Sequence, residues 1–194
     1  MTIISPNPTK LSENVDQFTI LFRPHIKALY RIAYRWTWNV QDAEDLVQDL
    51  ALKVMDRVHE MAEIERLQPW LLKIMYRRFV DIYRRKKNSP VLAEYDLPED
   101  GGSLVDRLID SNGPDNQLYL NQLKTILRQR IDELDPDQKA AVMLYDAEGF
   151  SIKEIASITE TKESTVKSRL HRARSHLKNN YSWEPFINPV RVTD

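Results

Sequence analysis

The sequence predicts an all-α protein: two small helical domains joined by an acidic flexible linker, the C-terminal domain a helix-turn-helix. Three observations predict it. Leu, Ile, Ala, Lys, Arg, Glu and Gln dominate a 194-residue chain with only four glycines, and strand-like alternation is scarce. Apolar residues recur at spacings of three and four on both sides of one proline- and glycine-rich stretch. The net charge of −1 also conceals strong segregation. Residues 77–88 carry six cations against Asp81, residues 94–116 seven carboxylates against Arg107, and residues 162–178 six cations against Glu163. Two basic blocks separated by an acidic cord is the distribution of a chain that gathers phosphate at two places.

Residues 1–15 are polar, contain two prolines and are expected to be a loosely ordered N-terminus. The first domain is placed at 16–88. Phe18, Leu21, Phe22, Ile26, Leu29, Ile32 and Ala33 trace a helical stripe that Pro24 interrupts. A second helix is expected over 40–59, with Ala43, Val47, Leu50, Val54 and Val58 as its core stripe, and a third over 69–87, with Pro69 in its first turn. Residues between them read as a short loop or a skewed turn. Residues 89–115 hold Pro90, Pro98, Pro114 and three of the four glycines, which makes them a linker with a helical turn at 104–109.

The second domain is placed at 116–180. Leu120, Leu123, Ile126, Leu127, Ile131 and Leu134 restore the helical period; Pro136 starts the next helix, and Gly149 is positioned to cap its end. Ser151 and Glu154 match a capping box opening a short helix. After a turn, Val166, Leu170, Ala173 and Leu177 form the apolar stripe of a last helix. The tail 181–194 carries Trp183 and Phe186 beside two prolines, so it is not a long helix. Whether it docks is left open by the sequence.

That last helix is the most informative segment. Opposite its apolar stripe stand Ser164, Ser168, His171 and Ser175, flanked by Lys167, Arg172 and Arg174. Short hydroxyls between long cations suit a helix in the major groove, where small polar groups approach base edges and Lys and Arg reach bases or phosphates. A solvated amphipathic surface helix is the plain alternative. In the first domain, Asp42, Asp45, Asp49 and Asp56 form an acidic line with Gln48 beside it. It reads as a solvated face at a helix start, a carboxylate metal site, or a docking surface for a basic partner. No histidine has the Glu-x-x-His partner that bundle metal sites use, so no metal is expected.

The 69–87 helix interleaves Trp70, Ile74 and Phe79 with cations and ends in Arg84-Arg85-Lys86-Lys87. Aromatics among cations suit unpaired bases, yet these three read more readily as core. Asp81 is expected to pair with Arg77, Arg84 or Arg85. No nucleophile elbow, phosphate-cradling glycine loop or paired metal-ligand spacing occurs, so neither catalysis nor a cofactor is expected. Zero cysteines exclude disulfides, no apolar run nears the ~18 residues of a membrane span, and the start lacks a secretory pattern. A soluble, intracellular protein with no membrane insertion is the expectation.

Asp42-Ala-Glu-Asp-Leu-Val-Gln-Asp49, then Pro69-Trp-Leu-Leu-Lys-Ile followed by Asp81 and the basic cluster, then Ser164-Thr-Val-Lys-Ser-Arg-Leu-His-Arg-Ala-Arg174, in this order and with this tether, resemble the extracytoplasmic-function sigma factors. These are small two-domain bacterial transcription initiation factors, and the resemblance runs from about Phe18 to Leu177. It implies that Asp42, Asp45, Gln48 and Asp49 bind the clamp of the largest subunit of core RNA polymerase, with the flap of the second-largest subunit as a further contact. It implies that Arg77, Arg78, Asp81, Arg84, Arg85, Lys86 and Lys87 serve capture and melting of the −10 promoter element. It implies that Ser164, Thr165, Lys167, Ser168, Arg169, His171, Arg172 and Arg174 serve recognition of the −35 element. The linker would thread toward the polymerase active centre, an anti-sigma factor would hold the protein off, and its place would be the bacterial cytoplasm.

Two positions depart from the family's pattern. Arg77 stands where Asn is usual, and Glu160 stands where the inter-helix turn usually has Gly. A left-handed residue costs Glu more than Gly, which predicts a rebuilt turn. Two rival functions remain: a stand-alone helix-turn-helix regulator, which would bind duplex DNA unaided, and a protein–protein adaptor, in which Lys167 and Arg172 would be dispensable for DNA.

Overall fold

Pro24 sets the first corner of the chain. It lacks an N–H and fixes φ, so helix α1 (Pro8–Phe22) gives way to a 3₁₀ turn, Arg23–His25, before α2 (Ile26–Thr37) begins. The computed structural model describes residues 8–87 and 117–179. Among the described residues there are helices and turns only, and no helix is long and apolar enough to cross a membrane. The start of α1 at Pro8 corrects the expectation of a loosely ordered stretch through residue 15. The linker, its expected turn at 104–109 and the tail from 180 onward lie outside the described residues.

The second corner is tighter. Trp38 ends α2 in the left-handed region (φ 53°), its N–H donating to the Tyr34 carbonyl at 2.7 Å. Asn39 then caps α3 (Val40–Met55) by accepting the Asp42 N–H at 2.9 Å. A bulky residue at positive φ is costly, and packing holds it there. The Trp38 ring is 7 % exposed, meets Tyr34 edge-on at 6.1 Å and lies 5.1 Å beneath the Arg128 guanidinium of the second module.

Helix α3 buries Ala43, Leu46, Leu50 and Val54 against α2 and α5. Leu46 takes the place expected for Val47, which is half-buried. The helix also stops at Met55, short of the expected residue 59; a turn at Asp56–Arg57 leads into α4 (Val58–Glu63), which buries Val58 and Met61. Full burial of each of the larger side chains contributes about 1.5–3 kcal/mol. Helix α5 (Leu67–Lys87) supplies Leu71, Leu72, Met75 and Phe79, and Trp36 sits fully buried with its ring 5.1 Å from Phe79 and 6.2 Å from Tyr76. The aromatics of α5 therefore resolve mostly to core: Phe79 is buried, while Trp70 and Ile74 are half-buried.

The second module comprises α6 (Gln117–Asp132), α7 (Pro136–Val142), a π-helical turn (Met143–Ala147), α8 (Ile152–Ile158) and α9 (Glu163–Asn179). Pro136 does open α7, and Gly149, at φ 77°, ends the helical run as expected. The π turn was not expected. Its closing bond, from the Glu148 N–H to the Met143 carbonyl at 3.1 Å, sets Glu148 facing α2. The two modules are packed together, α2 and α5 of the first against α7, the π turn and α8 of the second.

A lysine is held inside the second module. Lys139 is 1 % exposed, pairs with Asp132 and sits 5.7 Å from the Trp38 ring. Burial pulls its pKa below that of an ordinary lysine, and the Asp132 carboxylate opposes this. Removing either partner of such a pair leaves the other charge unpaired, which costs more when the charge left behind is the buried Lys139 than when it is Asp132, 23 % exposed. In urea unfolding, Asp132→Ala should cost about 3 kcal/mol, and Lys139→Met should cost less.

Candidate nucleic-acid interface

The helix-turn-helix is built from local signals. The Ser151 hydroxyl accepts the Glu154 N–H, and the Glu154 carboxylate accepts the Ser151 N–H at 2.8 Å, a complete capping box at the start of α8. At the far end, Glu160 adopts the left-handed conformation (φ 52°) and the Thr161 N–H donates to the Ala156 carbonyl at 3.0 Å. This is the bond that closes a helix when its C′ residue turns left-handed. The turn is therefore not rebuilt: Glu160 occupies the conformation usually given to Gly, correcting the expectation of a different geometry. Its carboxylate is held there by Arg77 (2.5 Å) and Lys73 (3.0 Å) of α5, which also keep its pKa below the ordinary range.

Helix α9 divides as its sequence requires. Val166, Leu170 and Ala173 are buried and Leu177 is half-buried. Ser164, Lys167, Ser168, His171, Arg172 and Arg174 are exposed, and Ser175 is half-exposed. The Ser168 hydroxyl donates to the Thr165 carbonyl at 2.9 Å, and Arg174 pairs with Asp146 and stacks 5.2 Å over Tyr145. Lys167, His171 and Arg172 thus form the open centre of the face, with Arg174 at its edge. Arg169 is a correction. Its side chain is 16 % exposed, and it pairs with Asp137 at 3.0 Å behind the helix. It positions α9 and does not present a cation outward.

In α5, Arg77 reaches Glu160, and Arg78 donates to Asp49 of α3 at 2.6 Å. The expected pairing of Arg77 with Asp81 gives way to this longer-range contact. Asp81, Arg84 and Arg85 are exposed, and the side chains of Lys86 and Lys87 lie outside the described residues. Arg57 stacks 4.7 Å over Trp70, covering one face of the ring.

Helix α3 presents a different stripe from the one the carboxylates suggest. Asp42 and Asp49 are half-buried, Asp42 in the capped first turn and Asp49 in its pair with Arg78. Outward stand Gln41, Glu44, Asp45 and Gln48, continued by Leu52 (66 % exposed) and Met55 (40 % exposed). These residues follow helical spacing, so acid gives way to apolar surface along one face. Sequence reading missed Leu52 and Met55. Their signal was present, since neither falls on the core stripe of Ala43, Leu46, Leu50 and Val54. An exposed apolar patch rimmed by charge is the composition of a docking surface.

Other residues were missed because their partners lie far along the chain. Glu148, its side chain 5 % exposed, accepts from Arg31 Nε (3.0 Å) and Nη2 (2.7 Å) and from Arg35 Nη1. The Tyr76 hydroxyl donates to Asp137, and the Tyr83 hydroxyl donates to the Asp132 and Leu134 carbonyls, both at 3.1 Å. Burial and the Asp137 carboxylate raise the Tyr76 pKa well above that of an ordinary phenol.

Comparison with known proteins assigns both modules. Residues 21–89 match the family model for sigma-70 region 2, and residues 124–177 match that for sigma-70 region 4. The chain is 36 % identical over 159 residues to the ECF RNA polymerase sigma factor SigE of Mycolicibacterium smegmatis, covering 81 % of this chain and 59 % of that protein. It is 30 % identical over 162 residues to the ECF RNA polymerase sigma factor SigM of Mycobacterium tuberculosis, covering 82 % of this chain and 74 % of that one. In fold it is similar to the sigma factor RpoE of Bartonella quintana, solved in complex with the anti-sigma factor NepR (TM-score 0.59, 24 % identity, covering 83 % of this chain and 94 % of RpoE).

The capping box makes the support of α9 pH-dependent. The Ser151 N–H and hydroxyl, with Arg66, hold the Glu154 carboxyl at about 2, below its ordinary 4.5. A carboxyl lowered in the folded state contributes stability that is present above 4.5 and is lost as pH falls toward 2. Circular dichroism at acid pH should show that loss over this window, and Ser151→Ala should cost about 1 kcal/mol at neutral pH.

Proposed function

The chain belongs to the family of extracytoplasmic-function (ECF) RNA polymerase sigma factors, and we propose how its faces divide that family's work. It is an alternative sigma factor: it binds core RNA polymerase and directs initiation at promoters, the polymerase performing the chemistry. The first module, residues 16–88 in this reading, docks on the polymerase clamp through the α3 stripe of Asp45, Gln48, Leu52 and Met55. Carboxylates would steer the encounter with a basic surface, and the two apolar side chains would supply buried area. The end of α5, with Arg84 and Arg85, holds the backbone of the −10 element; Asp81 lies beside them. The second module, residues 116–180, reads the −35 duplex with Lys167, Ser168, His171 and Arg172 of α9. An anti-sigma partner and a cytoplasmic location, both implied by the resemblance, belong to the same proposal.

One observation supports this division above the others. The exposed polar face of α9 is backed by the buried Val166, Leu170 and Ala173 and fixed by a capped helix and a closed turn. A helix that rigid can enter a groove without an ordering cost, the condition for reading base edges directly. Run-off transcription with purified core polymerase tests the whole reading. The chain should confer start-site selectivity that core enzyme lacks, while binding promoter duplex weakly when alone. Strong specific binding by the free chain, with no effect on polymerase, would favour the stand-alone regulator.

Two substitutions test the parts. Asp45→Arg should lower affinity for core polymerase at least tenfold without changing the melting temperature, measured by fluorescence anisotropy and by thermal unfolding. Asp49→Arg should lower both, because it also opposes Arg78. Arg172→Ala should cost about 1–3 kcal/mol at one upstream base pair if the contact is bidentate; an unchanged promoter profile removes Arg172 from the reader.

A further inference from the structure

A cleft of about 420 Å³ lies beside the outward face of α9, within the second module. Its floor is apolar: Leu170 is buried, and Tyr145 of the π turn and Ile152 of α8 are half-buried. Its rim is cationic, with Lys167, Arg174 and Lys178 along α9. Arg174 is already engaged by Asp146 and by the Tyr145 ring. The exposed Lys167 and Lys178 are therefore the cations placed to draw an acidic group. A nucleic-acid backbone would meet this rim but has nothing to bury on the floor. An aromatic side chain beside a carboxylate matches both.

We propose that the occupant is the segment 180–194 of this same chain, with its Trp183-Glu-Pro-Phe186 stretch in the cleft, and that it masks α9 until duplex displaces it. The inference rests on the reading that α9 meets duplex DNA, since Lys167 and His171 belong to the cleft as well as to that face. The segment follows α9 directly, and Trp183 comes five positions after Lys178. Five extended residues span at most about 18 Å, while the rim from Lys167 to Lys178 is about 16 Å long at the helical rise. The whole rim is thus within reach of Trp183 and Phe186. Pro185 and Pro189 disfavour continuation of α9 through the segment, and each biases the residue before it toward extended backbone. Glu184, beside Trp183, supplies the carboxylate for the rim. A segment tethered at the mouth of its own cleft acts at roughly 1 mM effective concentration. An intrinsic dissociation constant of about 0.1 mM then keeps the cleft filled about ten times in eleven, which weakens duplex binding about tenfold.

Fluorotryptophan in place of the chain's four tryptophans reports the docking by nuclear magnetic resonance. Trp183 is the resonance that Trp183→Phe removes. In the full chain without DNA it should be displaced from its position in a synthetic peptide of residues 180–194, and shielded from a soluble paramagnetic chelate. Lys178→Glu should return it to the peptide's position, and adding Glu184→Lys should restore the displacement. A short mixed-sequence duplex at low salt should also return it. Trp183→Ala with Phe186→Ala should raise affinity for that duplex about tenfold, with the melting temperature unchanged. A wild-type Trp183 resonance already at the peptide's position and open to the chelate would overturn the proposal. So would a displacement that fades on dilution, which makes a second copy the donor of the segment. Saturating duplex that leaves Trp183 docked overturns the masking. Docked Trp183 with no duplex binding by either chain removes the DNA reading of α9, and the masking with it, while the docking stands.

Discussion

A single carboxylate organises the way this molecule is put together. Glu148 lies at the end of a π-helical turn, with Arg31 gripping it through two nitrogens and Arg35 through a third. Two guanidinium groups share one acid: Arg31, 48 % exposed, keeps part of its charge in water, while the buried Arg35 also donates to the Ala147 carbonyl at 3.4 Å. Without the π turn, the carboxylate would point elsewhere on its helix. Without the carboxylate, α2 would lose the three side-chain hydrogen bonds that join Arg31 and Arg35 to the second module. The relation between the modules follows from this contact more than from the peripheral pairs, which water and salt weaken.

The same economy recurs at both sharp corners. Trp38 and Glu160 stand at positive φ, where side chains larger than Gly are costly. Each is held by a long-range partner: Trp38 by Arg128 above its ring, Glu160 by Lys73 and Arg77. A corner that needs a partner on the other module is a corner whose strain is relieved only in the assembled chain. Local geometry and domain packing are therefore coupled, and a change in one is felt by the other.

Helix α9 shows how an exposed polar face is made rigid. Its three buried residues fix rotation about the helix axis, and Arg169, paired with Asp137 behind it, fixes tilt. The outward Lys167, His171 and Arg172 need no order of their own, because the scaffold sets where their Cβ atoms lie. The division between a basic residue that positions the helix and one that faces outward is invisible in a list of cations. It is decided by which side of the helix meets α7.

Helix existence, the two-module plan, the capping box at Ser151, the corner at Pro24 and the cap at Gly149 were legible in the sequence, because each depends on neighbours within one or two turns. So was the apolar stripe of α9, since helical period alone separates buried from exposed positions there. Short-range steric preference and periodic burial determine these features wherever the chain goes. Tertiary structure decided the rest: that Asp49 binds Arg78, that Arg169 turns inward, that Leu52 and Met55 stay outside, and that Glu148 meets Arg31 and Arg35 across more than a hundred residues. An ion pair is chosen by proximity in space, and no property of a carboxylate's sequence neighbours says which distant cation the fold will bring to it.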